Sequence, residues 1–212
     1  MSIRKTALLL SCALGLASTS FAARPFATAD AGTVEPNHVE MEVAADYGDD
    51  ALTPSLGFTL GLTDRCDLAL SSAYTTYPKA DRGTDPLGLT LKMSLWTDHL
   101  ALAATGALGD SEWQALAIAS HELGNLNLNA NVGFDAVGGS NEKEALYNIA
   151  ANYAVGPVHI GAEYLGVSKD ADTWGAGAQW EIQDWVAVDA GVHANLSTSP
   201  TWTFTTGLWT TF

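Results

Sequence analysis

Segments of about ten residues in which apolar side chains alternate with small or polar ones recur along almost the whole chain. In residues 87–95, Leu or Met occupies every second position, with Gly, Thr, Lys and Ser between them. Successive side chains of a β-strand point to opposite faces, so a period of two indicates a strand with one apolar face. Twelve such segments lie between residues 39 and 212. Ten strands remain if the Ala-rich stretch at 100–121 is misread.

The breaks between these segments follow a second pattern, in which tight turns alternate with longer or more polar connections. The tight turns fall at 63–66, 97–99, 123–125, 155–157 and 183–184, and the longer connections at 48–55, 75–86, 109–112, 135–144, 168–172 and 195–200. Short turns at one end and longer loops at the other are typical of bacterial outer-membrane barrels. An even strand number then places both ends of the barrel on the periplasmic side.

A soluble β-sandwich or a lipocalin-like barrel would show the same alternation, so composition must decide which face is outside. The apolar faces carry aromatic residues near the segment ends, as expected where rings meet two lipid interfaces. The other faces are mostly Gly, Ala, Thr, Asn and Ser, with few of the Lys residues that protect solvated sheet edges. The sequence therefore predicts an all-β, antiparallel, up-and-down transmembrane β-barrel of about twelve strands over residues 37–212.

The first 22 residues have the parts of a secretory signal peptide. Arg4 and Lys5 precede an apolar stretch at 7–16, and Ala22 ends a small-x-small cleavage site. A lipoprotein signal ending at Cys12 is the alternative. Cleavage after Ala22 leaves residues 23–36 as a periplasmic N-terminal segment, either a strap or a plug. It also leaves Cys66 as the one cysteine, so no internal disulfide is predicted.

The chain carries 24 acidic and 9 basic residues, a formal net charge of −15. We expect no nucleic-acid partner, because such binding depends on Lys and Arg that neutralise phosphates. The acids within strands lie mainly on the polar face, which a membrane barrel turns toward its lumen, and an acidic lumen attracts cations. A packed polar core is the alternative. The predicted pore-lining residues are Glu40, Glu42, Asp46, Lys92, Asn127, Asn129, Asn131, Asn148, Asn152, His159, Glu163, Gln179, Glu181, Asp189 and His193.

Five of these residues form an Asn wall on two neighbouring strands: Asn127, Asn129, Asn131, Asn148 and Asn152. Amides both donate and accept hydrogen bonds, so the wall either contacts polar solutes or cross-links the interior. We predict no enzyme activity, because no His has a Ser partner on the lipid-facing rim where a membrane hydrolase needs them. The spacing of His and Cys predicts no metal site, and no cofactor is expected.

The most distinctive motif runs from Arg24 to Pro36 (Arg-Pro-Phe-Ala-Thr-Ala-Asp-Ala-Gly-Thr-Val-Glu-Pro) and is followed by His-Val-Glu-Met-Glu at 38–42. It resembles the N-terminal signature of a bacterial outer-membrane transporter family, the "MetA-pathway of phenol degradation" proteins, although Ala29 stands where that pattern has an acid. The turn at 61–65 is also similar to that family. The resemblance implies an outer-membrane barrel that moves small solutes, including hydrophobic or aromatic ones.

These observations predict a porin-like channel in the outer membrane for passive passage of small solutes. Its partners would be membrane lipid, a small-molecule solute and the barrel-assembly machinery, with the final aromatic Phe212 as the assembly signal. A structural or adhesive barrel with a closed lumen is the first alternative. A soluble periplasmic ligand-binding barrel is the second.

Overall fold

A computed structural model describes residues 25–48, 51–76, 82–109, 112–136 and 143–212. The predicted signal peptide and residues 23–24 lie outside these ranges. Among the described residues the regular structure is entirely β, and none of them forms a helix long and apolar enough to span a bilayer.

The thirteen strands follow one another along the chain with short connections. They are β1 (Val39–Gly48), β2 (Ala51–Thr63), β3 (Cys66–Thr75), β4 (Gly83–Thr84), β5 (Gly88–Trp96), β6 (Leu100–Ala107), β7 (Trp113–Leu123), β8 (Leu126–Ala136), β9 (Lys143–Val155), β10 (Val158–Val167), β11 (Thr173–Gln183), β12 (Val186–Asn195) and β13 (Trp202–Thr211). The two-residue β4 pairs only with the end of β3 and belongs to a loop.

The other twelve strands close into an antiparallel barrel. Each pairs with its neighbours in sequence, and the first strand pairs with the last. At this seam the backbone groups of Val39 and Phe212 exchange two hydrogen bonds of 2.8 and 3.0 Å. Closure leaves no unpaired edge, which a sheet in lipid requires. The predicted barrel class and the strand number of twelve are confirmed.

The outer surface of the barrel is apolar and the inner surface is polar, the reverse of a soluble protein. Large exposed hydrophobic side chains occur on almost every barrel strand, while Asp67, Lys92, Asn129, Glu163 and Asp189 on the opposite faces are buried. An apolar surface that encircles a closed barrel fits hydrocarbon and not water. A soluble periplasmic barrel therefore does not fit this surface.

Aromatic side chains mark both ends of this outer surface. Tyr47, Tyr74, Phe134 and Tyr147 are exposed at the loop end, and Tyr153, Trp180 and Phe212 at the short-turn end. Two aromatics of the same face are half-buried. The Tyr164 hydroxyl donates to Asp172, and the Trp174 ring packs on Trp202 with centroids 5.7 Å apart. Trp96 and Trp185 extend the band at the short-turn end.

The connection predicted at 48–55 is wrong. Gly48 pairs with Ala51, so β1 and β2 form a tight hairpin whose residues 49–50 lie outside the described ranges. The polar and Pro-containing sequence suggested a loop, but Pro54 lies in β2 opposite Ala45. The ladder to β3 begins only at Ser55, so Pro54 has a strand partner on one side, as at a sheet edge. The connection at 135–144 is also shorter, because β8 reaches Ala136 and β9 begins at Lys143.

Candidate functional site

Residues 25–35 lie inside the barrel and form what we name the inner strap. This segment has no regular secondary structure, and Phe26, Ala29, Ala31 and Val34 are buried. It follows the inner wall from β11 and β12 at Pro25 to β2 at Glu35, and residues 36–38 then lead into β1. An irregular backbone inside a barrel has no ladder of its own and must find other hydrogen-bond partners. The Gly32 amide donates to Asp30 Oδ1 within the inner strap at 2.8 Å, and the other described partners of residues 27–34 are side chains of the wall.

The Glu163 carboxylate, in the middle of β10, is the most extensive anchor. It accepts hydrogen bonds from the Ala27 amide at 2.9 and 3.0 Å, from the Thr28 amide at 2.8 Å and from the Thr28 hydroxyl at 2.7 Å. His193 Nε2 lies 2.7 Å from Glu163 Oε1 and completes the set. Each of these bonds is charge-assisted, which makes it stronger than a neutral one. The buried carboxylate is therefore matched by donors that come mostly from the inner strap.

Asn131 and Ser120 continue the attachment along the wall. Asn131 Oδ1 accepts from the Ala29 amide and its Nδ2 donates to the Ala29 carbonyl, both at 2.8 Å. Ser120 Oγ accepts from the Ala31 amide at 2.8 Å and donates to Asn129 Oδ1 at 2.6 Å. One side-chain amide thus satisfies both backbone groups of Ala29, as a neighbouring strand would.

The last anchor lies near the short-turn end, where β3 and β5 meet. Asp67 Oδ2 accepts from the Val34 amide at 3.1 Å. The Lys92 ammonium is 3.9 Å from Asp67 and 4.0 Å from Asp30, and the side chains of Lys92 and Asp67 are almost fully buried. A buried Lys needs such partners because an isolated charge is costly to remove from water.

Apolar packing and glycine residues fit the inner strap to the wall. Ala29 and Ala31 are fully buried in a cluster with Ala101 and Ala103 of β6 and with Leu116 and Ile118 of β7. The facing of β7, ambiguous from its sequence, is thus settled. Leu116 and Ile118 point inward, where the inner strap supplies an apolar partner, whereas Trp113 and Leu123 at the two ends of the strand are exposed on the outer surface.

Inward-facing glycines leave room for the inner strap along its path. A Cβ at Gly177 would come against the Pro25 ring, and one at Gly161 would lie 2.9 Å from the Phe26 ring. A Cβ at Gly61 would come against the Val34 and Glu35 carbonyl oxygens. Wall and inner strap are therefore complementary in shape at both ends of the path.

A cavity of about 500 Å³ lies between the inner strap and the uncovered part of the wall. Asp30, Gly32, Thr33 and Val34 form its strap side. Its remaining lining comes from Glu40, Glu42, Lys92, Gln179, Glu181, Gln183, Asp184, Ala187 and Trp209. Five carboxylates thus face one ammonium group. Trp209 lies opposite Glu42 in the pairing of β1 with β13, and the exposed Glu181 and Asp184 lie at the short-turn end.

The predicted pore-lining residues divide into three groups. Five line the cavity, namely Glu40, Glu42, Gln179, Glu181 and the ion-paired Lys92. Asn131 and Glu163 hold the inner strap, with Asn129 and His193 bonded to the anchors. The third group consists of the remaining residues outside the cavity lining: Asp46, Asn127, Asn148, Asn152, His159 and Asp189. Asn152 and Asp189 are buried. The His159 ring lies 3.2 Å from the Glu181 carboxylate.

The Asn wall has the predicted strand adjacency. Asn127 lies opposite Asn152, and Asn131 opposite Asn148, on β8 and β9. Within this wall, Asn131 binds the backbone of the inner strap.

Sequence reasoning missed Ser120, Thr28 and Trp209 as site residues. Trp209 was detectable, because it lies between Leu208 and Thr210 and so falls on the inward face of the final strand. The other two could not be found without the path of the inner strap.

Across the described ranges, no group of three or more His, Cys, Asp or Glu residues is arranged to hold a metal ion. Cys66 is a free, half-buried cysteine beside a tight turn.

No family model and no curated protein matches this chain, so the resemblance to the phenol-degradation family stays a prediction. Among solved structures, the chain is similar to the KdgM porin, with 7% identity and a TM-score of 0.65 over 82% of this chain and 99% of that one. The NanC porin has 8% identity and a TM-score of 0.60, over 80% and 98%. Omp33 of Acinetobacter baumannii has 16% identity and a TM-score of 0.56, over 83% and 98%. This chain thus has the fold of porin-like outer-membrane β-barrels, in agreement with the predicted class and location.

Proposed function

We propose that this chain is an outer-membrane channel for small solutes, and that its path favours polar and cationic ones. The observation that carries the proposal is the cavity between the inner strap and the wall, with five carboxylates against one ammonium group. Lys92 is itself close to Asp30 and Asp67, so its charge is largely balanced locally. Rings of carboxylates at a constriction attract cations and repel anions. Charge and shape both support cation passage.

Passage of hydrophobic or aromatic solutes rests on the family resemblance alone. Trp209 is the one aromatic residue among the described residues that line the cavity. The lining therefore favours polar solutes. The lipid, solute and assembly-machinery partners, the absence of enzyme activity, and the role of Phe212 as an assembly signal remain part of this proposal.

A closed structural barrel is the alternative, since the inner strap occupies part of the lumen. The two functions differ in what the cavity carboxylates do. In a channel Glu40 and Glu42 set ion selectivity, whereas in a closed barrel they contribute only to stability. Glu122, an exposed carboxylate near the short-turn end of β7 and outside the cavity lining, provides the matched control.

The test is the reversal potential of the refolded mature protein in a planar bilayer with a KCl gradient. We expect discrete conductance steps with cation selectivity, a reversal potential closer to zero in the Glu40→Gln/Glu42→Gln double variant, and little change in Glu122→Gln. Heat-dependent gel mobility first establishes that each barrel is folded. Silence of a folded wild-type barrel, or selectivity that the double variant leaves unchanged, would contradict the proposal.

A further inference from the structure

We propose that the inner strap is the constriction element of the channel, and that the Glu163 carboxylate holds it in the narrow position. The inference rests on the proposed channel function and adds to it the element that sets the width of the path. Releasing the inner strap from Glu163 and Asn131 would widen the lumen without changing the barrel wall.

The dimensions of the barrel show why the inner strap matters for width. Twelve strands about 4.8 Å apart and tilted by about 40° give a backbone diameter of roughly 24 Å. Inward side chains reduce this to a lumen of about half that width, as expected between filled eight-stranded barrels and open sixteen-stranded ones. A main chain with small side chains then occupies a large share of the opening. The cavity beside the inner strap is what remains.

The inner strap presents different side chains to its two sides. Ala29 and Ala31 are fully buried against β6 and β7. Asp30, between them, lines the cavity, and its side chain retains 32% exposure. Small apolar residues thus lie against the wall, and a carboxylate faces the path. The inner strap therefore contributes to the charge of the path as well as to its width.

The attachment is of a kind that can be released. The described contacts of residues 27–34 with the wall are to side chains, chiefly Glu163, Asn131, Ser120 and Asp67, and not to a continuous strand ladder. The barrel strands pair with one another, and their ladders include no residue of the inner strap. Segments held by few contacts open locally at a free-energy cost below that of global unfolding. Substitution of one or two anchors is therefore expected to free the inner strap in an intact barrel.

The experiment uses Glu163→Gln, Asn131→Ala and their combination in the full mature chain. Thr90→Val is the matched control, because it removes a buried 2.9 Å hydrogen bond between Thr90 and Thr105 of the wall that includes no residue of the inner strap. The first readout is the size of the largest polyethylene glycol that reduces single-channel conductance. The second is independent of conduction: the rate at which a maleimide modifies Ala29→Cys in a Cys66→Ser background, in otherwise folded barrels.

We expect each release variant to conduct more than the wild type and to admit larger polymers, with the greatest effect in the combination. Modification at position 29 should accelerate by roughly tenfold or more, the factor expected from one lost charge-assisted hydrogen bond. Thr90→Val should match the wild type in both readouts.

Three results would overturn the inference. If modification at position 29 does not accelerate, Glu163 and Asn131 do not hold the inner strap. If modification accelerates while conductance and the polymer limit stay unchanged, the inner strap moves without being the constriction, and the channel function stands. If all folded variants are silent while modification accelerates, the proposed channel function fails and the constriction role fails with it.

Discussion

The hydrogen bonds between Glu163 and Thr28 allow a quantitative test of how firmly the inner strap is held. Glu163→Gln keeps the shape of the side chain but removes its charge and, in either orientation of the new amide, places an NH2 group opposite the Ala27 amide. Hydrogen bonds to charged groups contribute about 1.5–3 kcal/mol each, and breaking a buried ionic contact costs up to about 5 kcal/mol. We therefore expect Glu163→Gln to lower the free energy of unfolding by about 2–4 kcal/mol.

Thr28→Val removes one contact from the same group, the 2.7 Å bond of the hydroxyl, and preserves side-chain volume. It should cost about 1–2 kcal/mol alone. Thr28→Val removes that bond and Glu163→Gln weakens it by removing the charge of its acceptor. The double variant should therefore be less destabilised than the sum of the single variants, by about 1 kcal/mol. The assay is urea unfolding in detergent micelles, monitored by tryptophan fluorescence. The slope of the unfolding free energy against urea concentration should be the same in all variants.

The loss in Glu163→Gln combines the contacts with the inner strap and the wall contact with His193. A change below about 0.5 kcal/mol, the range typical of surface substitutions, would mean that these bonds are not maintained and would refute the reasoning. Strict additivity in the double variant would likewise show that the Thr28 hydroxyl and Glu163 do not interact. Thr90→Val serves again as the control, since its effect should add to that of Glu163→Gln.

Three other substitutions test the fit of the inner strap to the wall, the lipid-facing outer surface and the assembly of the barrel in cells. Gly177→Val should destabilise the barrel by about 1–3 kcal/mol in urea unfolding, because the new side chain overlaps the Pro25 ring, and no loss would contradict the close fit between the inner strap and the wall. Leu91→Arg in the middle of β5 should cost about 2–4 kcal/mol in lipid vesicles, against about 0–1 kcal/mol for Leu123→Arg at the short-turn end, and equal costs would contradict a lipid-facing outer surface. Phe212→Ala should reduce the amount of barrel assembled in cells while in vitro refolding stays normal, and normal assembly in cells would reject the assembly signal.

The strands and the barrel were predictable from the sequence because they depend on local alternation. Residues 87–95 show this most clearly, since their Leu and Met side chains lie outside and Thr90 and Lys92 are buried inside. The prediction failed at 48–55, where Pro54 and polar neighbours resemble a loop but pair as a strand. Pairing with β1 makes residues 51–55 a strand. The composition of a short stretch of sequence does not reveal that pairing.

The path of the inner strap was beyond sequence reasoning for a different reason. Its partners are on four strands, and each lies between 33 and 136 residues along the chain from the strap residue that it holds: Glu163, Asn131, Ser120 and Asp67. Only the closed barrel brings them to one surface. The same segment explains Ile118, a large apolar residue on the inward face, which broke the alternation and made β7 hard to assign. The predicted acidic lining was therefore a mixture, in which some acids line the cavity and others hold backbone amides.

The most direct test asks whether ions pass between the inner strap and the acidic wall. In a Cys66→Ser background, Thr33→Cys places a thiol on the strap side of the cavity, and Val132→Cys places one on the outer surface, where Val132 is 61% exposed. A positively charged thiosulfonate reagent is added during single-channel recording. We predict a stepwise fall in conductance and in cation selectivity for Thr33→Cys and no change for Val132→Cys. Unchanged current after complete modification of the thiol at position 33, verified by mass spectrometry, would contradict a path through this cavity.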